Sequence, residues 1–368
     1  MAIEPIGASG GPPDSADGDA TLAGVAGQAA AVLRGARRPL VCGLGLASTE
    51  AIRIGLEIAD RLGGVADWTA GPASYASAVA FQTVGGVAIS YGEAAARCDL
   101  LVFWGCDPQP LPGFDRIRPA DGDGGERYTV SVGVPQNEAG PPADEVLPLT
   151  PGASYEAIAT LRALSSGLPL DPDAIHRVTG VPLDAWRGLQ RRLASARYGV
   201  IVRGSGLSEE GPAAVAALTT YAQRLQAQAR VAILSPPSEH NHGGAENVMA
   251  WQTGYPLAVD FGQGFPRYSP GEYTAAELLD RGECDAVLEV RRDVGSGQTS
   301  VEARRLDGTA GTGDAAERVA LPVAPLREGG GTYYRADGAA LPLPREPGLP
   351  AAAEVLGRIR DTLAAGAA

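Results

Sequence analysis

From Leu22 onward, short runs of β-branched and other apolar residues alternate with stretches whose apolar positions recur at helical spacing. PLVCGLG at 39–45 reads as a buried strand running into a glycine turn. Ser48, Thr49 and Glu50 then open a helix that carries Ile54, Ile58 and Leu62 on one face. Further strands are predicted at 98–105, 127–134 and 145–149, the first preceded by a helix through Glu93 and Arg97. Residues 171–193 keep a helical period, with His176, Trp186 and arginine-rich faces, and a last helix is predicted over 351–365. Before Leu22 the chain is acidic and rich in Gly, Pro and Ser, which predicts a disordered or extended leader.

The second half echoes the first in the same order. RYGVIVRGSGLSEEG at 197–211 repeats the strand, Gly-x-Gly turn and polar cap of RPLVCGLGLASTEA at 38–51. ECDAVLEVRRD at 283–293 repeats RCDLLVFWGCD at 97–107, and ERVALPVAPLREG at 317–329 repeats DEVLPLTPGAS at 144–154. Two copies of a βα unit, interleaved or adjacent, are the economical reading. Strands alternating with helices of this length point to parallel sheets, with ligand-carrying loops at the strand carboxyl ends. The expected organisation is a leader at 1–21, a first α/β unit at 22–168 and a helical bridge at 169–195. A second α/β unit follows at 196–343, then a C-terminal segment and helix at 344–368.

Composition narrows the class. The 368 residues are 45% apolar and 20% charged, so a well-buried interior is available. Acids outnumber bases 43 to 30, and the resulting charge of -13 disfavours nucleic acid and anionic membrane as partners. Every base is arginine, which removes Schiff-base and P-loop lysine chemistry. Cys42, Cys98, Cys106 and Cys284 form no C-x-x-C pair and suit the reduced thiols of a cytoplasmic protein. No signal-peptide pattern opens the sequence, and no apolar run reaches transmembrane length.

Candidate chemistry is sparse. Gly43 and Gly45, and their echo Gly204 and Gly206, give part of a phosphate-cradling loop. A third glycine and a following acidic residue are missing, so structural strand-to-helix turns are expected. His240 and His242 flank Asn241 as a metal pair would, with Glu239 or Glu246 as a third ligand; without helical H-E-x-x-H spacing, a polar loop bonding backbone is expected instead. Cys106 is expected to pack in a tight turn at a strand end. Asp107, Asp115, Asp260 and Glu272 are the carboxylates available for general acid–base work. No residue is assigned to catalysis, to a cofactor or to a metal.

Several segments together resemble the B subunit of formylmethanofuran dehydrogenase, in the molybdopterin oxidoreductase superfamily. They include EIADRLGGVADWTAG, AVAFQTVGG, LVFWGCDP and EGGGTYYRADG, and the long run WQTGYPLAVDFGQGFPRYSPG at 251–271 is the most distinctive. The resemblance implies internally duplicated, parallel-sheet α/β domains of the molybdopterin oxidoreductase type, without the N-terminal iron–sulfur domain. The family's dehydrogenase holds an iron–sulfur cluster on N-terminal cysteines, whereas no cysteine here precedes Cys42. A family motif that looks like D-x-T-A-x-x-C-H-G-P is matched by the ten residues from Asp67 to Ala76. Ala73 then stands at the metal-ligand position and Ser74 at that of the following histidine.

An alanine methyl cannot ligate molybdenum or tungsten. The resemblance therefore implies a degenerate, non-catalytic B subunit, most like that of the formyltransferase/hydrolase complex of methylotrophic bacteria, with no cofactor of its own. The implied partners are a formyltransferase, an amidohydrolase-type hydrolase and a C subunit, with a methanofuran-like carrier nearby. That complex converts formyl-tetrahydromethanopterin to formate in one-carbon metabolism. The alternative is a molybdopterin-dependent, formylmethanofuran dehydrogenase-like oxidoreductase with a non-cysteine ligand or an open metal site. Ser74 lies one residue from the ligand position, where on an extended loop a one-residue slip points the side chain elsewhere. A third reading is a module that grips the carrier through Arg267, Arg291, Arg292 and Arg335. Trp68, Tyr75, Trp104 and Trp251 are expected to fill part of the vacated cofactor space.

Overall fold

The computed structural model of the chain describes residues 15–68, 72–106, 127–133, 143–236, 240–306 and 317–366. The chain divides into two compact units: residues 1–68, 247–333 and 342–368 form unit 1, and residues 69–246 and 334–341 form unit 2.

In chain order the elements begin with α1 (Ser15–Arg34), β1 (Pro39–Cys42), α2 (Thr49–Leu62), β2 (Val65–Ala66), α3 (Pro72–Val84), α4 (Tyr91–Arg97) and β3 (Leu100–Trp104). There follow β4 (Tyr128–Val132), β5 (Glu145–Leu147), α5 (Ser154–Ser165), α6 (Pro172–Thr179), α7 (Leu183–Ser195) and β6 (Gly199–Arg203). Next come α8 (Ser205–Glu209), α9 (Pro212–Leu225), β7 (Val231–Leu234), α10 (His242–Thr253), β8 (Val259–Asp260), α11 (Ala275–Asp280) and β9 (Ala286–Arg292). The last are β10 (Thr299–Arg305), β11 (Glu317–Val323), the paired strands β12 (Gly329–Tyr334) and β13 (Ala340–Arg345), and α12 (Ala352–Ala365).

Unit 1 is built on a mixed sheet of order β11-β10-β9-β1-β2-β8. β1 runs parallel to β2 and β9, while β10 is antiparallel to both β9 and β11, and β8 is antiparallel to β2. Ser48 starts α2 by accepting the Ala51 amide, and Gly63 ends it in the left-handed conformation. The helix buries Ile52, Leu56, Ile58 and Ala59, whereas Ile54 and Leu62 are only half-buried. Ala26, Ala29, Ala30, Val32 and Leu33 form the buried stripe of α1, which packs on α12 and on β10 and β11.

Unit 2 is built on an all-parallel sheet of order β5-β4-β3-β6-β7. Side chains alternate across it, so β3 sends Leu100, Val102 and Trp104 to one core and Leu101 and Phe103 to the other. Burial on both faces is why β3 and β7 are unbroken apolar runs. Trp104 stacks on Trp186 of α7 with centroids 6.3 Å apart, and both are buried. Trp186 Nε1 donates to Thr179 Oγ1 at 3.2 Å, which satisfies its one polar atom inside the core.

Several expectations are corrected. Residues 15–21, assigned to the leader, are helical, because the buried stripe further along α1 anchors a helix that extends back through them. The 169–195 stretch is two helices belonging to unit 2. Each sheet takes strands from both sides of that stretch, β1 beside β9 and β6 beside β3, so linear boundaries do not separate the units. The first two echoes keep equivalent parallel pairings, but the third does not: β5 is parallel to β4, whereas β11 is antiparallel to β10. Parallel partners need a crossover of about a dozen residues or more, so local pattern does not name them.

Trp186→Ala removes the largest side chain between the sheet and α7. Urea unfolding should show a loss of about 3–5 kcal/mol with the m-value unchanged.

Candidate functional site

In unit 2 the strand order reverses between β3 and β6, the place where open parallel sheets form a crevice at their carboxyl edge. Main chain crosses that crevice. Gly105 follows β3 with φ 56°, and the amides of Gly204 and Gly206 donate to Trp104 O at 2.9 Å and Gly105 O at 3.1 Å. A Cβ on Gly204 would stand 2.0 Å from Gly105 O and 2.5 Å from Cys106 Cα. The second Gly-x-Gly thus serves a backbone crossing, with Cys106 buried against it. Gly43, with φ 70°, is equally constrained in unit 1, since its Cβ would meet Val290 O at 2.0 Å.

Beside the crossing lies a cavity of about 470 Å³, lined by Gly105, Gly133, Thr150, Ser154, Glu209 and Glu210 among others. α5 begins here. The Glu210 carboxylate accepts from Ser154 N at 2.9 Å and from Ser154 Oγ at 2.6 Å. Ser154 Oγ in turn accepts from Trp104 Nε1 at 3.2 Å, tying the carboxylate to the core. The positive end of the α5 dipole is thereby met by an anion of the chain itself.

Asn241 caps α10, its carbonyl accepting the Ala245 amide at 2.9 Å, and its Oδ1 accepts the Tyr334 amide at 2.9 Å. The rings of His240 and His242 lie 5.0 Å apart. Burial, then the neighbouring His240, pull His242 down to about 4, so it is neutral at pH 7. Further along α10, burial raises the Glu246 carboxyl and Arg203 opposes the shift. Arg203 ends β6 and donates to Ser235 Oγ at 3.2 Å. Arg335 is held by the fully buried Asp337 side chain, with Nε to Oδ1 at 2.7 Å, and Asp337 also accepts the Tyr91 amide at 3.0 Å. Glu239 lies outside the described residues.

In unit 1, Asp67 is buried and accepts the Ala275 amide at the start of α11 at 2.7 Å. Trp68 Nε1 donates to Pro256 O at 2.6 Å. Asp260 faces Arg38 at 3.6 Å and Arg267 at 4.0 Å, while Glu272 is exposed and shares no hydrogen bond or ion pair with it. Glu289 and Glu302 sit opposite each other on β9 and β10, with Arg304 3.5 Å from each and Arg318 2.7 Å from Glu302. Arg291 and Arg292 are exposed. Asp107 and Asp115 lie outside the described residues. Burial pushes the Cys98 and Cys284 thiols up to about 12 and about 11, and raises Cys42 well above the usual thiol range. These are protonated, unreactive thiols at pH 7.

Ala73 and Ser74 occupy the first turn of α3, both half-buried, and Ser77 Oγ donates to Ala73 O at 2.9 Å. Ser74 is therefore helical and not on an extended loop. Trp68 and Trp104 are buried and Tyr75 half-buried, but Trp251 is 62% exposed and does not fill an interior space. Among the described residues no group of three His, Cys, Asp or Glu is placed to hold a metal. An alanine methyl has no lone pair for molybdenum or tungsten, and the described lining of the cavity beside α5 offers carboxylates and no Arg or His to a phosphate group. The residues present do not fit such a group. Sequence reading passed over Glu210, although two glutamates follow the second Gly-x-Gly; their target, Ser154, is 56 residues away.

Two outcomes test this geometry. An exposed His242 in the unfolded chain protonates near 6.5, ahead of the folded form near 4, so its contribution is complete above pH 6.5 and lost as the pH falls toward 4. Urea titrations should show about 3 kcal/mol lost across that window, and His242→Gln should flatten the slope. Asp337→Ala leaves Arg335 and the Tyr91 amide without their acceptor. A loss of about 2–4 kcal/mol in the same assay is expected, with Asp337→Asn intermediate.

No family model matches the chain. It is 30% identical over 292 residues to the B subunit of the tungsten-containing formylmethanofuran dehydrogenase 2 of Methanocaldococcus jannaschii, covering 73% of this chain and 63% of that protein. The protein of the same description from Methanococcus maripaludis is 27% identical over 283 residues, covering 73% and 64%. The match thus spans just under two thirds of each archaeal protein. The B subunit of the formyltransferase/hydrolase complex Fhc of Methylorubrum extorquens is 28% identical over 265 residues, covering 71% and 69%. In three dimensions the chain matches one from the crystal structure of the complex FhcABCD of M. extorquens with methylofuran. The TM-score is 0.75 at 26% identity, covering 97% of this chain and 98% of the other. By sequence and by fold, this chain is a homologue of the B subunits of formylmethanofuran dehydrogenase and of the formyltransferase/hydrolase complex.

Proposed function

We propose that this chain is the B subunit of a formyltransferase/hydrolase complex and acts there as a structural, non-catalytic component. The observation that carries the reading is the end-to-end match to a chain of FhcABCD, against partial coverage of the tungsten-containing subunits. In this reading a formyltransferase subunit moves formyl from tetrahydromethanopterin to a methanofuran-type carrier. An amidohydrolase-type subunit then releases formate, and this chain supports the hydrolase and the C subunit beside the carrier's route. Its two α/β units are internal duplicates of the molybdopterin oxidoreductase type, and the assembly is cytoplasmic. Among the described residues no helix is long and apolar enough to cross a membrane.

The absence of a role in redox chemistry rests on Ala73, on the protonated thiols and on the acidic cavity. The 30% identity to a tungsten-containing relative favours the second reading, a molybdopterin-dependent, formylmethanofuran dehydrogenase-like oxidoreductase. Both are decided by one preparation. The chain is tagged in its native host, purified with whatever binds it, and measured for metals and for dye reduction. Co-elution of formyltransferase, hydrolase and C subunits, with molybdenum and tungsten far below one equivalent, is the expected result. Stoichiometric metal, or formate-dependent viologen reduction, would establish the oxidoreductase instead.

A further inference from the structure

We infer that Glu210 is a built-in anion that closes the unit 2 cavity to phosphate-bearing ligands and leaves it open only to neutral or cationic ones. This stands whether or not the chain belongs to the complex proposed above. The cavity, of about 470 Å³, lies at the carboxyl edge of a parallel sheet beside the strand reversal, where such folds take small ligands. The amino end of α5, a helix of 12 residues, opens onto it through Ser154. A helix start of that kind offers main-chain N–H groups and a positive dipole to phosphate oxygens.

Here the seat is taken. Both donors of Ser154, its amide and its hydroxyl, are given to Glu210 at 2.9 and 2.6 Å. The indole of Trp104 donates to the same hydroxyl at 3.2 Å and fixes its direction, so Ser154 cannot readily turn toward a second acceptor. A phosphate entering the cavity would have to displace one carboxylate and lie beside another, Glu209, with no Arg or His among the described lining residues to offset the repulsion. An ammonium group or a polyol meets the opposite situation: the Glu209 carboxylate and the Thr150 hydroxyl line the cavity as acceptors, and the charge of Glu210 adds to the attraction for a cation.

The test uses the full chain and inorganic pyrophosphate at constant ionic strength, followed by calorimetric titration and by the shift in Tm. Wild type should show no saturable binding. Glu210→Ala should acquire it, with Kd lower by about tenfold or more than any wild-type value. Glu209→Gln, which leaves the seat filled, should gain little. Adding Ser154→Ala to Glu210→Ala should abolish the gain and so locate it at α5. Should Glu210→Ala not fold, Glu210→Ser, whose hydroxyl is small enough to leave the seat open, is read in the same way. Saturable pyrophosphate binding by wild type, a folded Glu210 variant that gains nothing, or a gain that survives Ser154→Ala would each overturn the inference.

Discussion

Two backbone segments cross at the carboxyl edge of the unit 2 sheet with no space for a side chain between them. The Gly204 position lies so close to Gly105 O that even a methyl would force the strands apart. β3 and β6 can lie side by side there because Gly204 brings no Cβ against Gly105 and Cys106, and Gly105 also supplies the left-handed conformation. The start of α8 is fixed by this crossing, and with it the reach of Glu210 toward α5. The cavity wall, the cap on α5 and the orientation of Trp104 are consequences of one tight approach.

A second regularity runs through both units. Carboxylates repeatedly accept main-chain amides from segments far away in sequence: Asp67 from Ala275, Asp285 from Arg37 and Arg38, Asp99 from Arg197 and Tyr198, Asp337 from Tyr91 and Glu210 from Ser154. Burial works against the charged form of Asp99, Asp285 and Asp337, yet these donors hold all three below the usual carboxylate range. Part of the chain's excess acidity is therefore structural. These groups tie strand ends and helix starts together and are not available to reacting molecules.

The homology places the chain among proteins that include tungsten-containing subunits, while among the described residues no group of three His, Cys, Asp or Glu is placed to hold a metal. Ala73, which the resemblance matches to the family's metal ligand, is helical, and the four thiols are buried within apolar clusters. The fold itself is intact: β3 and β6 pair along their whole length, Ser48, Ser90, Asp171 and Thr274 cap α2, α4, α6 and α11, and both tryptophans of the unit 2 core have partners for their indole nitrogens. Stability in this architecture comes from sheet burial and long-range caps, neither of which involves position 73.

Local pattern in the sequence suffices for β3, β4, β5 and β6, for the start of α2 at Ser48 and for the glycine turns after β1 and β6. These are decided by side-chain period, local hydrogen bonding and residue identity, all of which act over a few residues. The pairing of β1 with β9 and of β3 with β6, the antiparallel turn of β10 and β11, and the extension of α1 back to Ser15 come from contacts between distant segments. The same is true of Glu210 and Ser154. Such pairings join segments tens to hundreds of residues apart, and their selection depends on which buried faces and unsatisfied amides meet once the chain has closed its loops.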